Sequence, residues 1–216
     1  MMFLFVYISF ALADDLRLRL TPGERVVWAG LDYSPVQIYV PETFSDPEAR
    51  IFWGPGGGLF DRIARYASPG EVWSQLTVDW NAMFLNDLQK RIEKDLVIDL
   101  VPELPQPDGQ TKARTEDWFL PAALVVDATK LDGQDIAASA RGWKLSSTKG
   151  LGLGIVVERI SKLEDSECVW PVFFDVGSRK VLFAERICKS PGGMEFRNYW
   201  YNPLINAMEQ VIRELR

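Results

Sequence analysis

The chain has 216 residues, 47% of them hydrophobic, enough to bury one core of ordinary domain size. With 24 basic against 30 acidic side chains its formal charge is -6, whereas a nucleic-acid partner wants clustered Lys and Arg, so none is expected. It contains no histidine, which removes Ser-His-Asp and Cys-His nucleophile arrangements, imidazole proton shuttles and His-ligated zinc or iron.

Residues 1–13 read MMFLFVYISFALA, apolar and uncharged, and Asp14 and Asp15 follow at once. A bilayer-spanning helix takes about 20 apolar residues, so this stretch is too short to span. Ala11-Leu12-Ala13 gives the small-x-small pattern that precedes a signal-peptidase cut, although only the α-amino group of Met1 supplies positive charge ahead of it. The pattern predicts a cleaved leader over 1–13 and a single domain over 14–216. The address is then exported, periplasmic or extracellular, with no membrane insertion once the leader is gone. The competing readings are a buried first strand and a misplaced start codon.

Next, 25–31 (RVVWAGL) is a short apolar run bounded by turn signals, as a buried strand should be, and it exits through Asp32-Tyr33-Ser34-Pro35. Residues 36–40 add a short strand and 44–58 form a Pro- and Gly-rich loop. Helical spacing follows over 59–67. It is clearer where Val72, Leu76, Trp80, Met83, Phe84, Leu88 and Ile92 recur at three- and four-residue steps. Residues 96–101 (LVIDLV) read as a strand, 102–115 as a polar, Pro-containing excursion, and 120–126 as a further apolar run. A short helix is expected over 135–140, ended at Gly142, and a strand over 151–160.

Two apolar runs, 168–176 and 180–188, flank Gly177-Ser178-Arg179 and predict an antiparallel hairpin. Two registers are open. If Gly177 pairs with Arg179 across Ser178, Cys168 lies opposite Cys188 and a disulfide is feasible. A longer turn starting at Asp175 slips the register and sends the thiols to different faces, where they serve as core filler. The last helix is expected to begin at Asn202 as N-cap with Pro203 in the first helical position, burying Leu204, Ile205, Met208, Val211, Ile212 and Leu215. Together these elements predict an α/β (α+β) fold. Its mixed sheet ends in a C-terminal antiparallel hairpin, with helices packed on the sheet.

Chemistry is sparse. Gly54-Pro55-Gly56-Gly57-Gly58 precedes a helix start but lacks the Lys-Ser or Lys-Thr of a P-loop and the regular spacing of a dinucleotide site, which leaves a flexible loop as the plainer reading. Gly150, Gly152 and Gly154 alternate along one strand face, which predicts close approach by another element. Asp32, Asp99, Asp127 and Asp175 stand in or just after apolar runs. Asp32 converging with Asp127 or Asp175 would hold a hard cation and support a carboxylate-metal hydrolase; the plain alternative is that each aspartate shapes a turn. The segment PGGMEFRNYWYNP, residues 191–203, either forms an aromatic cup for a planar or sugar-like ligand or plugs the end of the sheet.

The stretches GLGIVVERI, PVFFDVGSRKVLFAERI and SPGGMEFRNYWYNPLINAM, together with AGLDYSPVQIYV near the start, resemble a family of exported α/β proteins found mainly in Bacteroidetes, whose most specific mark is GG-x-x-FRNYW. The resemblance covers about half the chain and implies the fold and the exported address. It brings no activity, because none is established for that family. Asp32, Ser34, Asp175, Arg179, Gly192, Gly193, Phe196, Arg197, Asn198, Tyr199 and Trp200 match its motifs. Asp32, Ser34, Asp175, Arg179, Arg197, Asn198, Tyr199 and Trp200 are therefore the candidate ligand-binding residues, with no catalytic set, metal or cofactor expected. The functional expectation is a non-enzymatic exported module that binds a partner protein or a small ligand. The hydrolase is the alternative.

Overall fold

The computed structural model describes residues 16, 20, 24–39, 80–84, 86–87, 99–102, 119–120, 130–161, 164–192 and 196–215, the side chains of 38–39, 99–102, 119–120 and 196–198 excepted. The expected leader, the glycine loop at 54–58, the helical spacing at 59–67, most of the polar excursion at 102–115 and Asp127 lie outside the described residues.

Among the described residues eight strands form one mixed sheet: β1 (Arg25–Asp32), β2 (Gln37–Tyr39), β3 (Asp99–Pro102), β4 (Phe119–Leu120), β5 (Leu151–Ser161), β6 (Ser166–Asp175), β7 (Val181–Ala184) and β8 (Ile187–Lys189). β6 runs antiparallel along one edge of β5, so β1 and β2, both parallel to β5, share its other edge end to end. β3 flanks β1 and β4 flanks β2, both parallel, while β7 and β8 lie in line along the outer edge of β6. The eight strands thus compose five ribbons, three of them broken. One break has a plain cause: Pro171 has no amide to give the outer ladder, and the gap between β7 and β8 falls opposite it.

Helix α1 (Gly133–Gly142) covers one face and helix α2 (Phe196–Leu215) the other, joined there by helical residues at 80–84. On the α2 side Trp28, Leu153, Ile155, Phe173 and Phe183 meet Trp200, Leu204, Met208 and Val211. On the α1 side Val27, Val156, Val172 and Phe174 meet Ile136, Ala140 and Trp143. α1 starts earlier than the apolar spacing alone indicates. Asp132 accepts from the amides of Gln134 and Asp135 while the Asp135 carboxylate accepts from the Asp132 amide, a complete capping box.

Two of the three alternating glycines work by close approach, as their spacing implies; Gly150 instead precedes β5 with φ +113° and has no atom within 4 Å of where a Cβ would stand. A Cβ at Gly152 would lie 2.3 Å from the Phe174 ring, and one at Gly154 would lie 2.7 Å from Trp143. Three bulges set which side chains reach which layer. At Trp28/Gly30, where Gly30 takes φ +94°, the extra residue returns Leu31 to the α2 side and turns Asp32 to the α1 side. At Val157/Arg159 the extra residue is Glu158. The third, between Phe173 and Phe174, corrects the expectation for the hairpin. The turn is the longer one, closed by Asp175 N donating to Lys180 O, yet Cys168 still pairs with Cys188 because the bulge on β7 restores the lost residue. The two cysteines form a disulfide.

A second correction concerns α2, which begins at Phe196, so that Asn202 is no N-cap and Pro203 lies inside the helix. A proline there cannot donate to the carbonyl four residues back, that of Tyr199. Gly192 N fills the vacancy at 3.1 Å, and the Asn202 amide donates in turn to Gly192 O. This reciprocal clamp explains how a proline is tolerated and why a glycine-rich loop precedes the helix.

Candidate functional site

The candidate residues named from sequence fall into three separate places. Asp32 Oδ1 accepts from Ser34 N at 2.9 Å and its Oδ2 from Trp143 Nε1 at 2.8 Å, so the carboxylate shapes the exit of β1 and fastens the indole over Gly154. Asp175 Oδ1 accepts from Ser178 N and Oγ, both at 2.7 Å, and Arg179, left-handed at φ +59°, donates its amide to Asp175 O and lies over the Phe174 ring. These two residues build the β6–β7 turn. Asp32 stands opposite Val156 and Asp175 opposite Leu151, on opposite edges of β5. At about 3.3 Å per residue that is roughly 17 Å along the sheet, too far for one cation. Among the described residues no group of three or more acidic or sulfur ligands gathers.

The third place is the start of α2. Trp200 is 1% exposed and belongs to the core, so it offers no open ring to a ligand. Tyr199 is half-buried, meets the Trp200 ring edge-on and donates its hydroxyl to Asp165. The side chains of Arg197 and Asn198 lie outside the described residues.

A more concentrated polar site lies where β5 and β6 leave the cover of α1. The bulge at Glu158 turns two successive charged residues, Glu158 and Arg159, toward the α1 side. Glu158, with a side chain only 3% exposed, accepts from Arg186 Nε at 3.1 and 3.0 Å, from Arg186 Nη2 at 2.6 Å and from Trp170 Nε1 at 2.7 Å. That is a buried carboxylate given a planar, bidentate partner and a third donor. Arg186 Nη1 continues to Cys188 Sγ at 3.1 Å, while Arg159 Nη2 reaches Glu164 at 2.9 Å and Cys168 Sγ at 3.8 Å. Each sulfur of the disulfide therefore has a guanidinium beside it. Cys168 is fully buried and Cys188 is exposed. Asp32–Trp143 and Glu158–Trp170 make two carboxylate–indole pairs on this one face, at the carboxyl ends of β1 and β5. Sequence reasoning missed this cluster. The available signal was Glu158-Arg159 interrupting an apolar strand, with Arg186 two residues from Cys188.

On the α2 face of the same end, Glu167 is 1% exposed with Oε2 unpartnered, and the Tyr33 hydroxyl is likewise buried and unpartnered. Burial pushes the Glu167 carboxyl well above the usual range. Burial, then the nearby Glu167, does the same to Tyr33.

Compared with known family models, curated proteins and solved structures, the chain matches none. The disulfide suits an oxidising environment. Among the described residues no helix is long and apolar enough to cross a membrane.

Proposed function

We propose that this chain is a non-enzymatic exported module, periplasmic or extracellular, that binds a partner protein or a small ligand over Trp170, Arg186 and Cys188. The observation that carries the reading is the Glu158–Arg186–Trp170 cluster. Its carboxylate and indole are held on strands β5 and β6 and its guanidinium in the short gap between β7 and β8, at the strand ends where open α/β sheets gather ligands. The 1–13 pattern, the disulfide and the resemblance to an exported family support the address. Asp32 and Asp175, the carboxylates nearest to a hydrolytic reading, are engaged in turn and indole hydrogen bonds.

A thermal-shift screen of the folded protein against glycans, peptides and divalent metals tests the binding. A ligand that binds only the native state raises Tm with its concentration. The expected result is one class that raises Tm of the wild type and does so less for Trp170→Leu. An equal shift in both would place the ligand elsewhere, and no shift from any class would end the reading.

A further inference from the structure

We propose that Cys168–Cys188 is an exchange-competent disulfide, opened by an external thiol at Cys188, and that opening it unlatches β8 and the start of α2. The two sulfurs differ in access. Cys168 is fully buried, whereas Cys188 is exposed on β8, a three-residue strand on the outermost ribbon that pairs only with β6 among the described strands. An incoming thiolate therefore reaches one sulfur and not the other. Exposed disulfides are the labile ones, and a thiolate leaves more readily where a cation stabilises it. Arg159 Nη2 lies 3.8 Å from Cys168 Sγ, and Arg186 Nη1 donates to Cys188 Sγ at 3.1 Å. Among the described residues, Glu158, held by Arg186, and Glu164, held by Arg159, are further charged groups around the pair.

In the first step RS⁻ attacks Cys188 Sγ and forms an RS–Sγ bond. The Sγ–Sγ bond breaks, and its electron pair leaves on Cys168 as a thiolate beside Arg159. In the second step another thiolate attacks the R sulfur, which releases RS–SR and the Cys188 thiolate. Two RSH are oxidised and one protein disulfide is reduced by two electrons, with the two thiol protons available to the cysteines. The co-reactant is a low-molecular-weight thiol or a protein dithiol.

The structural consequence follows the chain. From Cys188 the backbone runs through Lys189, Ser190 and Pro191 to Gly192, whose amide and carbonyl hold Tyr199 O and the Asn202 side chain around Pro203. The disulfide is the covalent tie of β8 to β6; without it, three ladder residues, the buried Ile187 and the hydrogen bond from Lys189 Nζ to Gln210 hold that segment.

The test treats the oxidised full chain with reduced glutathione in native buffer, quenches by alkylation and maps the adduct by peptide mass. The expected result is a glutathione adduct on Cys188 and none on Cys168. Arg159→Gln should slow adduct formation severalfold at unchanged Tm of the oxidised form, and Arg159→Lys should restore the rate. Amide exchange at Gly192 should then quicken on reduction. An adduct that forms only at the rate of global unfolding, an adduct on Cys168, or an Arg159→Gln rate equal to the wild type would overturn the exchange role. A Gly192 amide equally protected after reduction would overturn the unlatching.

Discussion

Glu158 and Glu167 lie at the same end of the sheet, on the paired strands β5 and β6, and each is almost wholly buried. They face opposite layers. On the α1 side Glu158 meets a guanidinium and an indole N–H, whereas on the α2 side Glu167 Oε2 has no hydrogen-bond partner among the described residues. Burying an ionised carboxylate is tolerable with a bidentate partner, and without one the group takes up a proton instead. The raised pKa of Glu167 is that second outcome. One side of the sheet thus keeps its polarity as a salt bridge beside a disulfide, and the other as a buried acid whose burial favours the protonated form.

Removing the partner on the first side should have the largest effect. Arg186→Met strands Glu158, and such a change costs about 3 kcal/mol or more of stability, read by urea denaturation. The double variant Arg186→Met/Glu158→Leu should recover most of that loss; if it does not, the salt bridge is not what the single change removed. Replacing both cysteines by alanine opens a loop of sequence separation 20 and should cost about 3 kcal/mol. Next in size, Gly152→Ala drives a methyl into the Phe174 ring and should destabilise by about 1–3 kcal/mol, visible in Tm.

The last prediction sharpens the other side and concerns pH. Glu167 is raised by burial, and Glu185 rises from 4.5 to about 7 through burial, then the hydrogen bond and charge of Glu214, against the opposing pull of Lys189. Between the unfolded carboxylate value and these raised values the folded state holds more protons. The contribution of Glu185 is therefore fully present below about pH 4.5 and is lost as pH rises through about 7, and that of Glu167 is lost as pH rises through its own raised value. Glu167→Gln, which stays neutral, should flatten that decline. A denaturation midpoint equally pH-dependent in wild type and Glu167→Gln would contradict the protonated reading.

Periodicity made much of this architecture legible. β1, β5 and the hairpin follow from apolar runs between turn residues, and the buried stripe Leu204, Ile205, Met208, Val211, Ile212, Leu215 lies in α2 as its spacing implies. What escaped was whatever depends on a non-local partner. The start of α2 was misplaced because Asn202-Pro203 carries a strong local start signal, and only Gly192 N, from outside the helix, makes an interior proline workable. That the longer turn leaves the two cysteines opposite each other was hidden for a related reason: the compensating bulge on β7 is invisible in a run of apolar residues. The polar cluster was missed because Glu158, Trp170 and Arg186 come from three segments and converge only once the strands are in register.

The most direct measurement is the intact mass of the native protein purified from its own cells or their medium, taken before and after reduction. The account predicts a chain beginning at Asp14 and lighter by two hydrogens until reduced, with Cys168 and Cys188 bridged. A chain still carrying residues 1–13, with both thiols free, would contradict it.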